Sequence, residues 1–310
     1  MRPGRHLLVR CLAAALLAVG IPEVSAQNTT RPELAVTRLS RVLYLLQGMV
    51  DGSTYGGNVV ASVGPDGILL VDTEYRSLSS QVHDALAAIA GPDATVRVII
   101  NTPWHRDHTE GNTEFGRTAT IVAHNNVRLR LSTPQTLFGQ QIAPYPAYAQ
   151  PVVTFEDALS LHFNGEDIRV VHVPSAHTDG DAIVFFETSN VLHTGDVYIG
   201  PVFPFIDLDH GGSVDGLERG VKTTLALSRA DTTIVPGHRS PADTQALTRY
   251  EEMLTRSLEI VGDQIHQNRT LADIQDRGLP ADWKAWEWEA LPMRTWIEYV
   301  YRSLTTHSPP

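Results

Sequence analysis

Cysteine occurs once in the 310 residues, at Cys11, and lysine only at Lys222 and Lys284. A single cysteine excludes an internal disulfide framework and a thiolate cage for metal. Any bound ion has to be held by imidazole or carboxylate groups, a donor set that suits zinc, iron or manganese. With 24 basic against 35 acidic side chains and a formal net charge of −11, the chain also lacks the basic stripe that follows a phosphate backbone, so nucleic acid is not an expected partner. The acidity reads as a solubility feature. Uninterrupted apolar runs long enough to span a bilayer are missing as well.

The longest apolar stretch, residues 12–21, follows Arg2, Arg5 and Arg10 and precedes the small residues Val24-Ser25-Ala26. That is the anatomy of an export signal, so residues 1–26 are expected to leave with Cys11, and a single domain over 27–310 to work in the periplasm or outside the cell. With 42% hydrophobic residues, a chain of this length can bury one large core.

Along that domain the pattern alternates between strand and helix. Two alternating runs between Val36 and Val63, separated by a Gly-rich segment from Gln47 to Asn58, predict two strands joined by a flexible loop. Ile68–Asp72 is a continuous apolar run of the kind that forms buried strands, and Val96–Ile100 repeats the buried-strand pattern, with a helical pattern from Leu78 to Ile89 between them. A short strand at Thr120–Ala123, a helix to Leu131 and an irregular connection from Ser132 to Pro151 follow. A second β-rich stretch over Val152–Asp196 precedes a helix from Val214 to Ser228 and a strand from Thr232 to Val235, and the remainder is mostly helical. Strands, helix, strand and helix, given twice, predict an α/β architecture with two sheets face to face and helices outside.

The most informative segment is Asn101-Thr102-Pro103-Trp104-His105-Arg106-Asp107-His108, at the carboxyl end of a buried strand. In an extended loop His105 and Asp107 point one way and His108 the other, which presents ligands to two neighbouring ions. Three further candidates each end a predicted strand: His177 in Ser-Ala-His-Thr-Asp-Gly-Asp, Asp196 in His-Thr-Gly-Asp and His238 in Pro-Gly-His. Together, in this order, these motifs resemble those of the metallo-β-lactamase superfamily, and the resemblance spans nearly all of the mature chain.

The resemblance implies a four-layer αββα sandwich. It also implies one ion on His105 and His177, a second on Asp107, His108 and His238, and Asp196 bridging them. Zinc is the default metal, in one or two ions. Such a site supplies metal-bound hydroxide at neutral pH to attack a carbonyl, with Asp107 orienting the water or moving its proton, and Asp72 fixing the loop or a ligand imidazole from behind. The sequence departs from the family motif His-x-His-x-Asp-His at one place, where Pro103 stands for the first histidine. Proline has no donor atom, so the first site is expected to bind more weakly. That leaves a one-ion enzyme, a two-ion enzyme with a lowered first affinity, or a protein without the chemistry. His210, in the Gly-rich loop 207–212, is a candidate to fill the gap.

The activity expected from the resemblance is hydrolysis of a lactam, lactone, ester or thioester. Hydrolysis of β-lactam antibiotics is a narrower alternative, against which stand the absence of a lysine near the site and Asp196, whose context is closer to that of lactone and thioester hydrolases. An iron-dependent oxidoreductase on the same fold and a non-catalytic binding protein are the rivals from other classes. His124, His162, His172 and His193, in or beside strands, read as structural, as do His83 on its helix and His307 in the tail. Trp283, Trp286, Trp288 and Trp296 read as docking the C-terminal helices onto the sandwich.

Overall fold

A computed structural model describes residues 32–306. The expected leader with Cys11, and His307, lie outside them. The first sheet begins with β1 (Glu33–Arg38), β2 (Leu43–Val50), β3 (Ser53–Gly64) and β4 (Gly67–Val71), continues after α1 (Ser79–Ala90) with β5 (Val96–Ile100), and reaches β6 (Thr120–His124) after the short helices α2 (Arg106–Thr109) and α3 (Asn112–Phe115). Beyond α4 (Asn125–Ser132), β7 (Gln135–Leu137) and β8 (Gln140–Ile142) form a hairpin of their own, and β9 (Val153–Phe155) completes the seven-stranded order β1-β2-β3-β4-β5-β6-β9. The second sheet runs β10 (Ala158–Phe163), β11 (Glu166–His172), β12 (Ala182–Phe186), β13 (Val191–His193) and β14 (Thr233–Val235), with α5 (Val214–Leu227) before its last strand. The chain closes with α6 (Thr244–His266), α7 (Leu271–Arg277) and α8 (Met293–Thr306).

The period of two along each strand builds the layers. In β4, Leu69 and Val71 pack into a buried cluster with Ala182, Val184 and Phe186 of β12, which is the core between the sheets. Ile68 and Leu70 point the other way, onto Val82 and Leu86 of α1. In β12, Ile183 and Phe185 turn outward into the cluster that holds Val221 of α5, Leu254 of α6 and Trp296 of α8. Both faces of these central strands are therefore covered, which is why β4 and β12 read as continuous apolar runs rather than alternating ones. The result is the expected four-layer αββα sandwich. Each of these fully buried aliphatic or aromatic side chains contributes about 1.5–3 kcal/mol of transfer free energy.

Two expectations are corrected. The segment 47–58 is not a flexible loop: β2 and β3 pair through it, with Gly48 opposite Tyr55 and the turn at Asp51-Gly52, and β1 adds a third strand at the edge. Its glycines serve close packing, since a Cβ on Gly48 would stand 2.4 Å from the Tyr55 carbonyl oxygen. The connection 132–151 likewise contains the β7–β8 hairpin.

Strands β4, β5, β6 and β9 are mutually parallel, and so are β13 and β14. Their carboxyl ends, together with that of β11, open toward one rim, and the motif loops leave from there.

Candidate metal centre

Asp72 follows β4 in a left-handed conformation (φ 61°), which costs a non-glycine residue about 1 kcal/mol or more unless the surroundings hold it. They do. Its Oδ1 accepts from the Thr102 amide (2.8 Å), and its Oδ2 accepts from the Thr102 hydroxyl (2.5 Å) and faces His108 Nδ1 at 2.7 Å. A single carboxylate thus fastens the motif loop and aims one imidazole, with Nε2 turned into the rim.

The motif is not extended, as expected, but helical. His105 caps α2, and the His108 amide donates to the His105 carbonyl (3.1 Å). Thr109 Oγ1 adds bonds to the carbonyls of Trp104 and His105. These local bonds outweigh the extended geometry and separate the donors: His105 falls in one group with His177 and Asp196, while Asp107 and His108 share another with His238. Within each group of three, the potential ligand atoms lie within 4.8 Å of one another.

Asp196 joins the groups. Its Oδ1 lies 3.3 Å from His108 Nε2 and 3.2 Å from His238 Nε2, and its Oδ2 lies 3.5 Å from His177 Nε2. Asp107 Oδ2 stands 3.4 Å from His238 Nε2 and 3.7 Å from His108 Nε2. Every imidazole has its second nitrogen engaged: His108 by Asp72, His177 by Asp181 (3.3 Å), His105 by Asp207 (2.9 Å), and His238 by the Gly56 carbonyl (2.6 Å). Outer partners of this kind fix ring orientation and raise donor basicity in metal sites.

The buried atoms His108 Nε2, His177 Nε2 and Asp196 Oδ1 have no hydrogen-bond partner. Leaving such atoms unsatisfied costs about 1–3 kcal/mol each, and all three point into the space between the groups. A cation with nitrogen and oxygen preference fits that space. Burial opposes ionisation of Asp196, but His108, His238 and His177 hold its carboxyl well below the usual range. Burial also opposes protonation of His177, yet Asp196 and Asp181 raise it to about 9, so at neutral pH protons compete with a cation for the same lone pairs.

His210 is not in either group. Its Nδ1 lies 2.7 Å from Asp207 Oδ1, and its ring packs 4.7 Å from that of Trp104. It therefore stands behind Asp207, which in turn stands behind His105. Of the other histidines, His193 bonds the Asn58 carbonyl and accepts from the Gly195 amide, His124 stacks on His172 at 3.6 Å, and His162 pairs with Asp167. His83 is exposed beside Asp84.

The donor groups open into a cavity of about 410 Å³ bounded by Tyr75, Phe138, Phe205, Trp288, Arg106 and Arg239, among others. Trp296 is fully buried, and Trp283 and Trp286 pack against the outer core as expected, whereas Trp288 also faces this cavity.

The family profile of the Metallo-beta-lactamase superfamily matches residues 53–238. The chain belongs to that superfamily. Among solved structures, this superfamily member is similar to a metallo-beta-lactamase from Pontibacter korlensis, at 15% identity over 72% of this chain and 99% of that one, with a TM-score of 0.59. It is similar to the DIM-1 metallo-beta-lactamase at 18% identity over 73% and 99%, with a TM-score of 0.58. It is also similar to a double mutant of the sec-alkyl sulfatase PisA1, at 12% identity over 88% of this chain and 50% of that one, with a TM-score of 0.66.

Several functional residues escaped the sequence reading. Asp181 lies inside the quoted His177 motif and Asp207 just ahead of His210, but spacing does not reveal which imidazole a carboxylate reaches. Glu74 is fully buried against Gly48 and Gly56 of the β2–β3 hairpin, with Oε2 accepting from the Tyr75 amide (2.7 Å), and burial lifts its pKa to about 9.

Proposed function

We propose that the protein is an exported metal-dependent hydrolase acting on a lactam, lactone, ester or thioester bond of a small molecule. The observation that carries this reading is the pair of donor groups meeting at Asp196, with three orphaned buried atoms aimed between them, beneath a cavity of small-molecule size.

In this reading His105, His177 and Asp196 would hold one cation and Asp107, His108 and His238 the other, with Asp196 lying beside both groups. Zinc is the metal of choice, and the three donors left beside Pro103 still match the usual protein complement of a catalytic zinc. A divalent cation held there lowers the pKa of water toward about 7 and polarises a carbonyl oxygen. The protein's own groups supply the rest. Asp107 lines the cavity and would orient the attacking water or take its proton at the carboxylate oxygen left free of the cation. Asp72, Asp181 and Asp207 keep the imidazoles in register, and Phe138, Phe205 and Trp288 shield the reacting bond from bulk water.

β-Lactams are a subset of this substrate class, and the likeness to the two β-lactamases supports testing them first. The test is a panel of nitrocefin, a lactone and a thioester, assayed with chelator and after zinc return, alongside elemental analysis. Turnover of at least one substrate that falls by at least about 100-fold on chelation and recovers with zinc is expected. Turnover surviving complete metal removal overturns the reading, and iron with dioxygen consumption instead identifies the oxidoreductase rival.

A further inference from the structure

Arg239 follows His238 directly and lines the same cavity. It is one of the few non-glycine residues with positive φ (67°), a conformation that arginine adopts at a cost. The backbone is pinned there, because the Arg239 carbonyl accepts from Gln47 Nε2 and Asn58 Nδ2, both at 2.8 Å. The side chain is fixed as well: Nη1 donates to the Ile199 carbonyl (3.0 Å), and the guanidinium lies 5.4 Å over the Trp288 ring. Yet among the described residues no carboxylate pairs with it. The other arginine on the cavity wall, Arg106, is committed to Glu110 at 2.5 Å. Burial lowers the Arg239 pKa from its ordinary value, a cost of desolvation that no ion pair offsets. A strained, half-buried, immobilised guanidinium without a paired carboxylate, on a wall where the donors Asp107 and Asp196 meet aromatic and aliphatic residues such as Phe138, Ile199, Phe205 and Trp288, has its fork preorganised for an oxyanion from outside.

We propose that Arg239 is the specificity-determining residue of this site. It recognises a carboxylate or similar oxyanion carried by the substrate, whose apolar body lies against Phe138 and Phe205. This assignment deepens the hydrolase reading and rests on it for the word substrate, but the anion site itself is tested separately by binding.

The experiment uses the full-length, metal-loaded protein and two matched probes, 4-phenylbutyrate and its neutral analogue 4-phenylbutanamide, titrated by calorimetry into wild type, Arg239→Gln and Arg239→Lys. The wild type is expected to prefer the acid by about 10-fold or more, Arg239→Gln to lose that preference while binding the amide unchanged, and Arg239→Lys to keep part of it. Equal acid preference in wild type and Arg239→Gln means that the carboxylate is held by the metal alone and overturns the proposal. If Arg239→Gln loses its metal or its thermal transition, Arg239→Lys decides: a selective loss for the acid supports the assignment, and none overturns it.

A second arm compares hydrolysis of p-nitrophenyl butyrate and mono-p-nitrophenyl glutarate. Arg239→Gln is expected to lower kcat/KM for the anionic ester by about 10-fold relative to the neutral one, mainly through KM. If neither ester is cleaved but the Arg239-dependent acid preference persists, the anion site stands and the hydrolase reading has failed for these esters. If both are cleaved with an unchanged ratio, the hydrolase reading stands and the anion site falls.

Discussion

The two donor groups are built differently although they share Asp196. In the group of His105 and His177 all members are buried, and both imidazoles are backed by carboxylates, Asp207 and Asp181. In the group of Asp107, His108 and His238, two members are only partly buried, although donors of both groups line the cavity, and the backing is one carboxylate, Asp72, and one carbonyl, that of Gly56 on the β2–β3 hairpin. The first group is the more deeply buried one, with a carboxylate behind each of its imidazoles. The second is the accessible one, and its geometry depends on a hairpin. A charged outer partner increases the donor strength of a neutral imidazole, so both imidazoles of the first group gain from behind, against one of the second.

The largest disturbance to this comparison comes from removing what the groups share. Asp196→Asn should cost both sites, with turnover falling by more than the roughly 100-fold typical of an outer partner and metal content dropping throughout, as read by elemental analysis. Asp207→Asn should discriminate between the groups. It is expected to weaken one metal equivalent by about 10–100-fold while leaving the other in place, measured by chelator competition; equal loss at both sites breaks the distinction.

Pro103→His should act in the opposite direction, raising the affinity of the weaker equivalent; an unchanged stoichiometry and affinity means that the first group is already complete. Glu74 probes the hairpin side. With a folded pKa of about 9 against an ordinary 4.5, it holds a proton in the fold that the unfolded chain releases, so its contribution to stability is fully present below about pH 4.5 and is lost as pH rises toward 9. In metal-free protein Glu74→Gln should flatten that slope, which is worth up to about 1.4 kcal/mol per pH unit, in urea titrations between pH 5 and 8; an unaltered slope refutes it. The smallest effect belongs to His210→Ala, which removes one bond to Asp207. It should cost about 1 kcal/mol of stability with metal content retained; a lost equivalent would instead make His210 a ligand.

The layers were legible because burial on both faces writes itself into composition: Ile68–Val71 is apolar throughout and Val96–Ile100 is interrupted only by the exposed Arg97, so their strand assignments needed no partner. The two strands of the β2–β3 hairpin were legible but not their extent, because Gly48, Gly56 and Gly57 look like loop residues until the close approach of Tyr55, Glu74 and Asp107 shows why side chains are excluded there. The six donors carried their signal in short motifs at strand ends. The resemblance divided them as the structure groups them, whereas the extended-loop geometry alone put His105 and Asp107 on one side, because it did not foresee the single turn of α2 that turns His105 away from Asp107. The supporting carboxylates Asp181 and Asp207 could be read as residues but not as partners, since nothing in linear spacing tells which ring they meet across the fold. Arg239 was invisible for a similar reason: its importance lies in the missing counter-charge around it.

The β7–β8 hairpin pairs only with itself and belongs to neither large sheet, yet it carries Phe138, 76% exposed, to the cavity wall beside Phe205. Changes at that tip leave both inner cores and all six donors untouched. On the proposed reading, the choice of small molecule can therefore be altered at this separate lip without disturbing the sheets that hold the donors.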